Sequence, residues 1–165
     1  MEKRKTESAT EQQYLTFGIR DEYFGISIDT VKEILEYSNV TSIPLMPDFV
    51  KGVLNLRGEV VPVIDLSLRL GKGATEVQDR TCIVVLEIPF EDELVTLGAV
   101  VDSVTEVIEI DTSTIEPAPT FGARIKAQFI HGVANVDGQF VILLRGEKAL
   151  SVEELASLVE NVIEQ

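Results

Sequence analysis

The chain has 165 residues, of which 28 are Asp or Glu and 14 are Lys or Arg, a formal charge of −14. That balance disfavours a phosphate backbone as main partner and direct insertion into an anionic membrane. Its 45% apolar and 25% charged residues describe a folded chain, one able to bury about two thirds of its unfolded surface without a disulfide or a metal.

In chain order, MEKRKTESATEQQ has basic residues with no apolar run behind them, so it is not a signal peptide, and residues 1–12 read as a solvated tail. Tyr14–Ile19 and Tyr23–Ile28 flank Arg20-Asp21-Glu22 as a predicted hairpin. Asp29 is placed to cap a short helix over Thr30–Glu36, with Val31, Ile34 and Leu35 on one side. Val31 and Ile34 fit core or a groove lining, and the pattern favours core. Val53–Leu56 and Val60–Ile64 flank Arg57-Gly58-Glu59 as a second hairpin; Pro62 puts its strand at an edge or near a bulge. Cys82–Ile88 and Val95–Val101 flank the acidic turn Glu91-Asp92-Glu93, and Phe129–Val136 and Phe140–Leu144 flank Asp137-Gly138, a favoured hairpin pair. Thr112–Ala127 reads as a loop. From Ser151, which forms a capping box with Glu154, apolar residues recur at helical spacing through Ile163. Short strands with Gly-rich turns point to a mainly β chain of barrels or sandwiches.

The chain also repeats itself. At an offset of 80, Phe49, Gly52, Val53, Asn55 and Gly58 find Phe129, Gly132, Val133, Asn135 and Gly138. At an offset of 73, Gly25, Ile28, Asp29, Val31, Glu33 and Ile34 find Gly98, Val101, Asp102, Val104, Glu106 and Val107. Two blocks in the same order predict two subdomains of one design. Their approximate bounds are 13–80 and 81–150, with exchange of strands between them allowed, and a C-terminal helix over 151–165.

Catalytic chemistry finds little support. One cysteine, Cys82, and one histidine, His131, cannot build a zinc site, and no cofactor or metal is expected. Cys82 lies in the apolar run CIVVL, the setting of an inert thiol, and His131 sits in strand register facing solvent. LNLRGE has a single glycine and no following nucleotide-binding helix, so it is not a phosphate loop. Binding features stand out instead. Arg57 at a hairpin tip suits a bidentate contact to a carboxylate, within the chain or on a partner, or simply solvent. Gly52 and Gly58 suit tight turns or close approach of another chain.

The segments GVLNLRGEVVPVIDL (Gly52–Leu66), IPLMPDFVKG (Ile43–Gly52), YFGISIDTVKEIL (Tyr23–Leu35), GAVVDSVTEVIEI (Gly98–Ile110) and FIHGVANVDGQFVILL (Phe129–Leu144) together resemble the CheW-like chemotaxis coupling proteins. The resemblance spans about Gln13 to Leu158. It implies two intertwined five-stranded barrels resembling SH3 domains and a non-enzymatic adaptor. The implied partners are the cytoplasmic tip of chemoreceptors and the regulatory domain of the chemotaxis histidine kinase, with cytoplasmic localisation and recruitment to membrane receptor arrays. A related receptor–kinase pathway of twitching or biofilm signalling is the alternative. Carried over by position, receptor contacts are expected at Val31, Glu33, Gly52 and Arg57. Groove or strand-end candidates are Ile34, Asp65, Leu66 and Val101, and weaker kinase-docking candidates are Val40, Ile43 and Pro44. The free protein is expected to be a monomer. One departure is Leu143-Leu144-Arg145, where many relatives carry an acid; Asp65 aligns with Arg145 inside this chain.

Overall fold

A computed structural model describes residues 10–38, 40–117, 127–150 and 153. The expected C-terminal helix lies, apart from Glu153, outside the described residues. Ten strands dominate the rest. They are β1 (Glu11–Ile19), β2 (Glu22–Ser27), β3 (Val31–Glu36), β4 (Val50–Leu56), β5 (Glu59–Asp65), β6 (Cys82–Phe90), β7 (Glu93–Val101), β8 (Ser103–Asp111), β9 (Ile130–Val136) and β10 (Gln139–Leu144). Four hairpins, β1–β2, β4–β5, β6–β7 and β9–β10, turn on two residues each: Arg20-Asp21, Arg57-Gly58, Glu91-Asp92 and Asp137-Gly138. Both residues of every turn have positive φ, the backbone twist that matches antiparallel strands.

The strands form two five-stranded sheets, ordered β8-β1-β2-β10-β9 and β3-β6-β7-β5-β4. The internal repeat equates β2 with β7, β3 with β8, β4 with β9 and β5 with β10, so the two orders are the same order with the halves exchanged. Each sheet takes two consecutive strands from one half of the chain and three from the other. Two parallel pairings stitch the halves together, β5 with β7 at Val63–Asp65 and β10 with β2 at Val141–Leu143. This is the expected mainly β, two-unit architecture.

Alternation along β6 explains why CIVVLEI is almost continuously apolar. Ile83 and Val85 point into their own sheet's interior with Leu54, Val63 and Val100. Val84, Leu86 and Ile88 point the other way, into a core shared by both sheets with Phe17, Phe24 and Leu97. A strand buried on both faces has no polar side to show. The first sheet keeps its own smaller cluster of Tyr14, Ile110, Ala134, Val141 and Leu143. The repeated glycines serve this packing. A Cβ on Gly25 would lie 2.9 Å from Leu143, and one on Gly98 would lie 2.7 Å from Ile83.

Several expectations are corrected. The Thr30–Glu36 segment is a strand, β3, antiparallel to β6, and not a helix. Ser27, not Asp29, supplies the cap, and it caps only a 3₁₀ turn over Ile28–Thr30. Val31, Ile34 and Leu35 match helical spacing, but tertiary pairing along β6 decides the conformation. Of the two settings expected for Pro62, an edge or a bulge, the second holds: β5 is an interior strand whose pairing with β4 carries a register shift. The proline is tolerated because pairing with β7 begins one residue later, at Val63, beside a register shift in β4 between Val50 and Gly52. β1 opens at Glu11, inside the segment expected to be a tail.

Because one core serves both sheets, the protein should unfold in a single transition. Leu97→Ala removes a fully buried side chain and should cost about 2–5 kcal/mol. Urea titration followed by amide exchange in both sheets checks this; two separate transitions would contradict the shared core.

Candidate functional site

The second sheet ends in two edge strands, β3 and β4, and the β4–β5 turn brings them together. Arg57 is the first turn residue, at φ 52°, and the Asn55 side-chain carbonyl accepts from the Gly58 N–H at 2.9 Å. The same device recurs in the other half, where Asn135 accepts from Gly138 at 2.9 Å and Asp137 has φ 52°. That explains why the asparagine and glycine repeat. Asn, Asp and Gly favour the left-handed conformation at this position; an arginine there holds a strained backbone.

From this turn the guanidinium reaches β3. Arg57 donates through both terminal nitrogens to the two oxygens of Glu33, with the Nη1–Oε1 contact at 3.4 Å. This forked pair spans the opening between the two edges of the sheet. The hydrogen bond from Arg57 holds the Glu33 carboxyl below its ordinary pKa, and Glu33 in turn raises that of Arg57. Ile34, next along β3, faces the other way and is 43% exposed. Val31 is half-buried against the shared core. At the equivalent positions of the first sheet stand Glu106 and Asp137, two acids, which cannot pair. The forked pair therefore exists on one sheet and has no counterpart on the other.

The remaining candidates are placed differently. Gly52 is buried: a Cβ there would lie 2.0 Å from the Thr41 carbonyl oxygen, because Thr41 and Val53 form a backbone bridge across it. Its absent side chain serves the fold directly. Asp65 is only 2% exposed. It accepts from the Thr75 N–H at 2.8 Å, the Thr75 hydroxyl at 2.7 Å and the Leu68 N–H at 3.2 Å, fastening the loop after the short helix Leu66–Arg69. Leu66 and Val101, the latter 1% exposed, lie in the shared core, where with Phe17, Leu86 and Leu150 they line a small apolar cavity. Asp65 and Leu66 do stand at the end of β5, and of the four groove or strand-end candidates only Ile34 is exposed. Arg145, the counterpart of Asp65, makes no side-chain cap and donates instead to the Ile130 carbonyl at 3.2 Å.

Of the weaker candidates, Val40 packs against the second sheet's interior cluster, Ile43 is half-buried and Pro44 is exposed. Their neighbour Leu45 carries no sequence signal, yet it is 101% exposed at φ 65°, a large apolar side chain on a strained backbone. Burial raises the pKa of the half-buried Cys82 thiol, which disfavours the thiolate a nucleophile needs. Among the described residues no three His, Cys, Asp or Glu side chains gather as metal ligands, and no helix is long and apolar enough to cross a membrane.

The sequence pattern of the CheW-like domain matches residues 13–154. The chain is 39% identical to the chemotaxis protein CheW of Klebsiella aerogenes over 151 residues, 92% of this chain and 88% of that one. It is 32% identical to Protein FrzA of Myxococcus xanthus over 128 residues, 78% of this chain and 77% of that one. The crystal structure of the scaffolding protein TtCheW from Thermoanaerobacter tengcongensis superposes with a TM-score of 0.73 at 34% identity, covering 81% of this chain and 84% of that one.

Two measurements separate the exposed pair from the buried glycine. Glu33 has a lowered folded-state pKa, so the pair is intact above the ordinary carboxylate range and is lost as pH falls through the lowered value. In Arg57→Ala the Glu33 carboxyl should titrate higher by carboxyl-carbon NMR, while the unfolding midpoint barely moves. Gly52→Ala should instead lower stability by about 1–3 kcal/mol, read by urea denaturation, because backbone must give way.

Proposed function

This chain belongs to the CheW-like family of scaffold proteins, and on that premise we propose that it couples the cytoplasmic tip of chemoreceptors to the regulatory domain of the chemotaxis histidine kinase. In this reading it controls kinase autophosphorylation within receptor arrays, acts without catalysis of its own, and is a cytoplasmic monomer until recruited. The observation that carries the reading is the Glu33–Arg57 fork at the edge of the second sheet, with Ile34 exposed on the opposite face of the same edge strand. Arg57 keeps donors free after serving Glu33, and its side chain is two-thirds exposed. It can therefore hold a partner's carboxylate or carbonyl without giving up its own anchor. Val31 and Gly52 support this face from below rather than touching a partner.

An adaptor needs two surfaces, and the exchanged sheets supply two related but chemically different ones. The kinase face is assigned to the barrel-end segment at Ile43 and Pro44, with Leu45 as its protruding side chain. The similarity to Protein FrzA favours a second reading, the same coupling role in a related non-flagellar pathway.

Reconstitution with kinase and receptor fragments tests the proposal. Receptor-dependent autophosphorylation should require all three proteins, and failure to bind either partner would sink it. Arg57→Ala should weaken receptor binding by about tenfold, the loss of one charge-assisted hydrogen bond, and leave kinase binding near wild type. Equal loss of both in a folded variant would remove Arg57 from the receptor face.

A further inference from the structure

The helix after β5 ends at Arg69, and its guanidinium carbon sits 4.7 Å from the centre of the Phe49 ring and 4.7 Å from that of Phe129. The two rings are partners in the internal repeat, 80 residues apart, and their backbones do the same work. The Phe49 carbonyl accepts from Asp65 N–H at 2.8 Å, and the Phe129 carbonyl accepts from Arg145 N–H at 2.8 Å. Phe49 leads into β4 of the second sheet, and Phe129 leads into β9 of the first. One arginine thus touches equivalent points of both halves. Its Nε also donates to the Ala149 carbonyl at 3.2 Å, at the end of the short helix Gly146–Ala149 that follows β10. Ala149 is itself the repeat partner of Arg69, so the second half contributes a small residue where the first contributes a cation. Two arginines meeting there would repel.

The contact differs in kind from the rest of the joint. The shared core is apolar, and apolar burial is non-directional, so it holds the sheets together without strongly fixing their angle. The contacts from Arg20 to Ala74 and from Lys72 to Glu22 also cross between sheets, but they tether a loop through long side chains. A planar guanidinium held over two rings and fixed by a hydrogen bond from Nε is a directional contact.

We propose that Arg69 is a positioning residue: clamped between Phe49 and Phe129, it fixes the angle between the two sheets and therefore the relative placement of the partner surfaces they carry. The functional half of this statement rests on the adaptor reading above; the geometric half does not.

The test uses the full chain with Cys82→Ser, and spin labels at Glu93→Cys on the second sheet and Gln139→Cys on the first, both exposed. Pulsed electron paramagnetic resonance should give one narrow distance with Arg69 present. Arg69→Met, which keeps the stem and loses the plane and charge, should broaden and shift it. Arg69→Lys, which restores charge without the plane, should fall between. In the reconstituted system Arg69→Met should bind receptor and kinase fragments singly as well as wild type, yet lose receptor control of the kinase by roughly five- to tenfold. Phe129→Leu removes one face of the clamp and should act the same way, which keeps the test open if Arg69→Met does not fold. An unchanged distance distribution in the folded variants would overturn the proposal. A shifted distribution with full receptor control would overturn its functional half. If wild type itself fails to couple receptor to kinase, the adaptor reading falls and the distances still judge the clamp.

Discussion

The burial of one apolar layer between two sheets is the constraint from which the rest follows. Phe17 and Phe24 from the first sheet and Leu86 and Leu97 from the second share this layer, and none is exposed to any useful extent. The strand exchange reinforces it. β5 cannot leave its sheet without unpairing from β7, and β10 cannot leave without unpairing from β2. Neither half of the chain completes a sheet of the observed composition by itself, so the two sheets cannot separate while the halves stay folded.

Much of this was legible in the sequence, for identifiable reasons. The repeat appears because paired positions do identical jobs: Asn55 and Asn135 close the same turn, and Gly25 and Gly98 clear space for a neighbouring side chain. The family resemblance follows from the same residues. The conformation of Val31–Glu36 was not legible, since its apolar spacing suits a helix and only β6, some fifty residues later, decides otherwise. The Glu33–Arg57 pair was half legible. Both residues were singled out, but 24 residues separate them and no local pattern says they touch. Burial of Asp65, Leu66 and Val101 was hidden for a related reason. A strand end looks exposed until the second sheet is packed on it. Leu45 was missed altogether, because an apolar residue in a turn segment is indistinguishable in sequence from one folded inward.

The departures from internal symmetry are more informative than the symmetry. In the repeat, Glu33 and Arg57 align with Glu106 and Asp137, Asp65 with Arg145, and Arg69 with Ala149. A duplicated frame offers the same surface twice, which suits two copies of one partner. Changing charge at matched positions turns it into two different surfaces. The proposed bridging of receptor and kinase needs that difference.

The left-handed turn at Arg57 carries a consequence for protein engineering. Its φ of 52° belongs to Asn, Asp or Gly, so a library sorted only for heat resistance will enrich those residues at this site. Each winner would relax the hairpin and delete the fork to Glu33 in one step. The survivors would be sturdier molecules with a blank face, and stability alone would be a misleading selection for this scaffold.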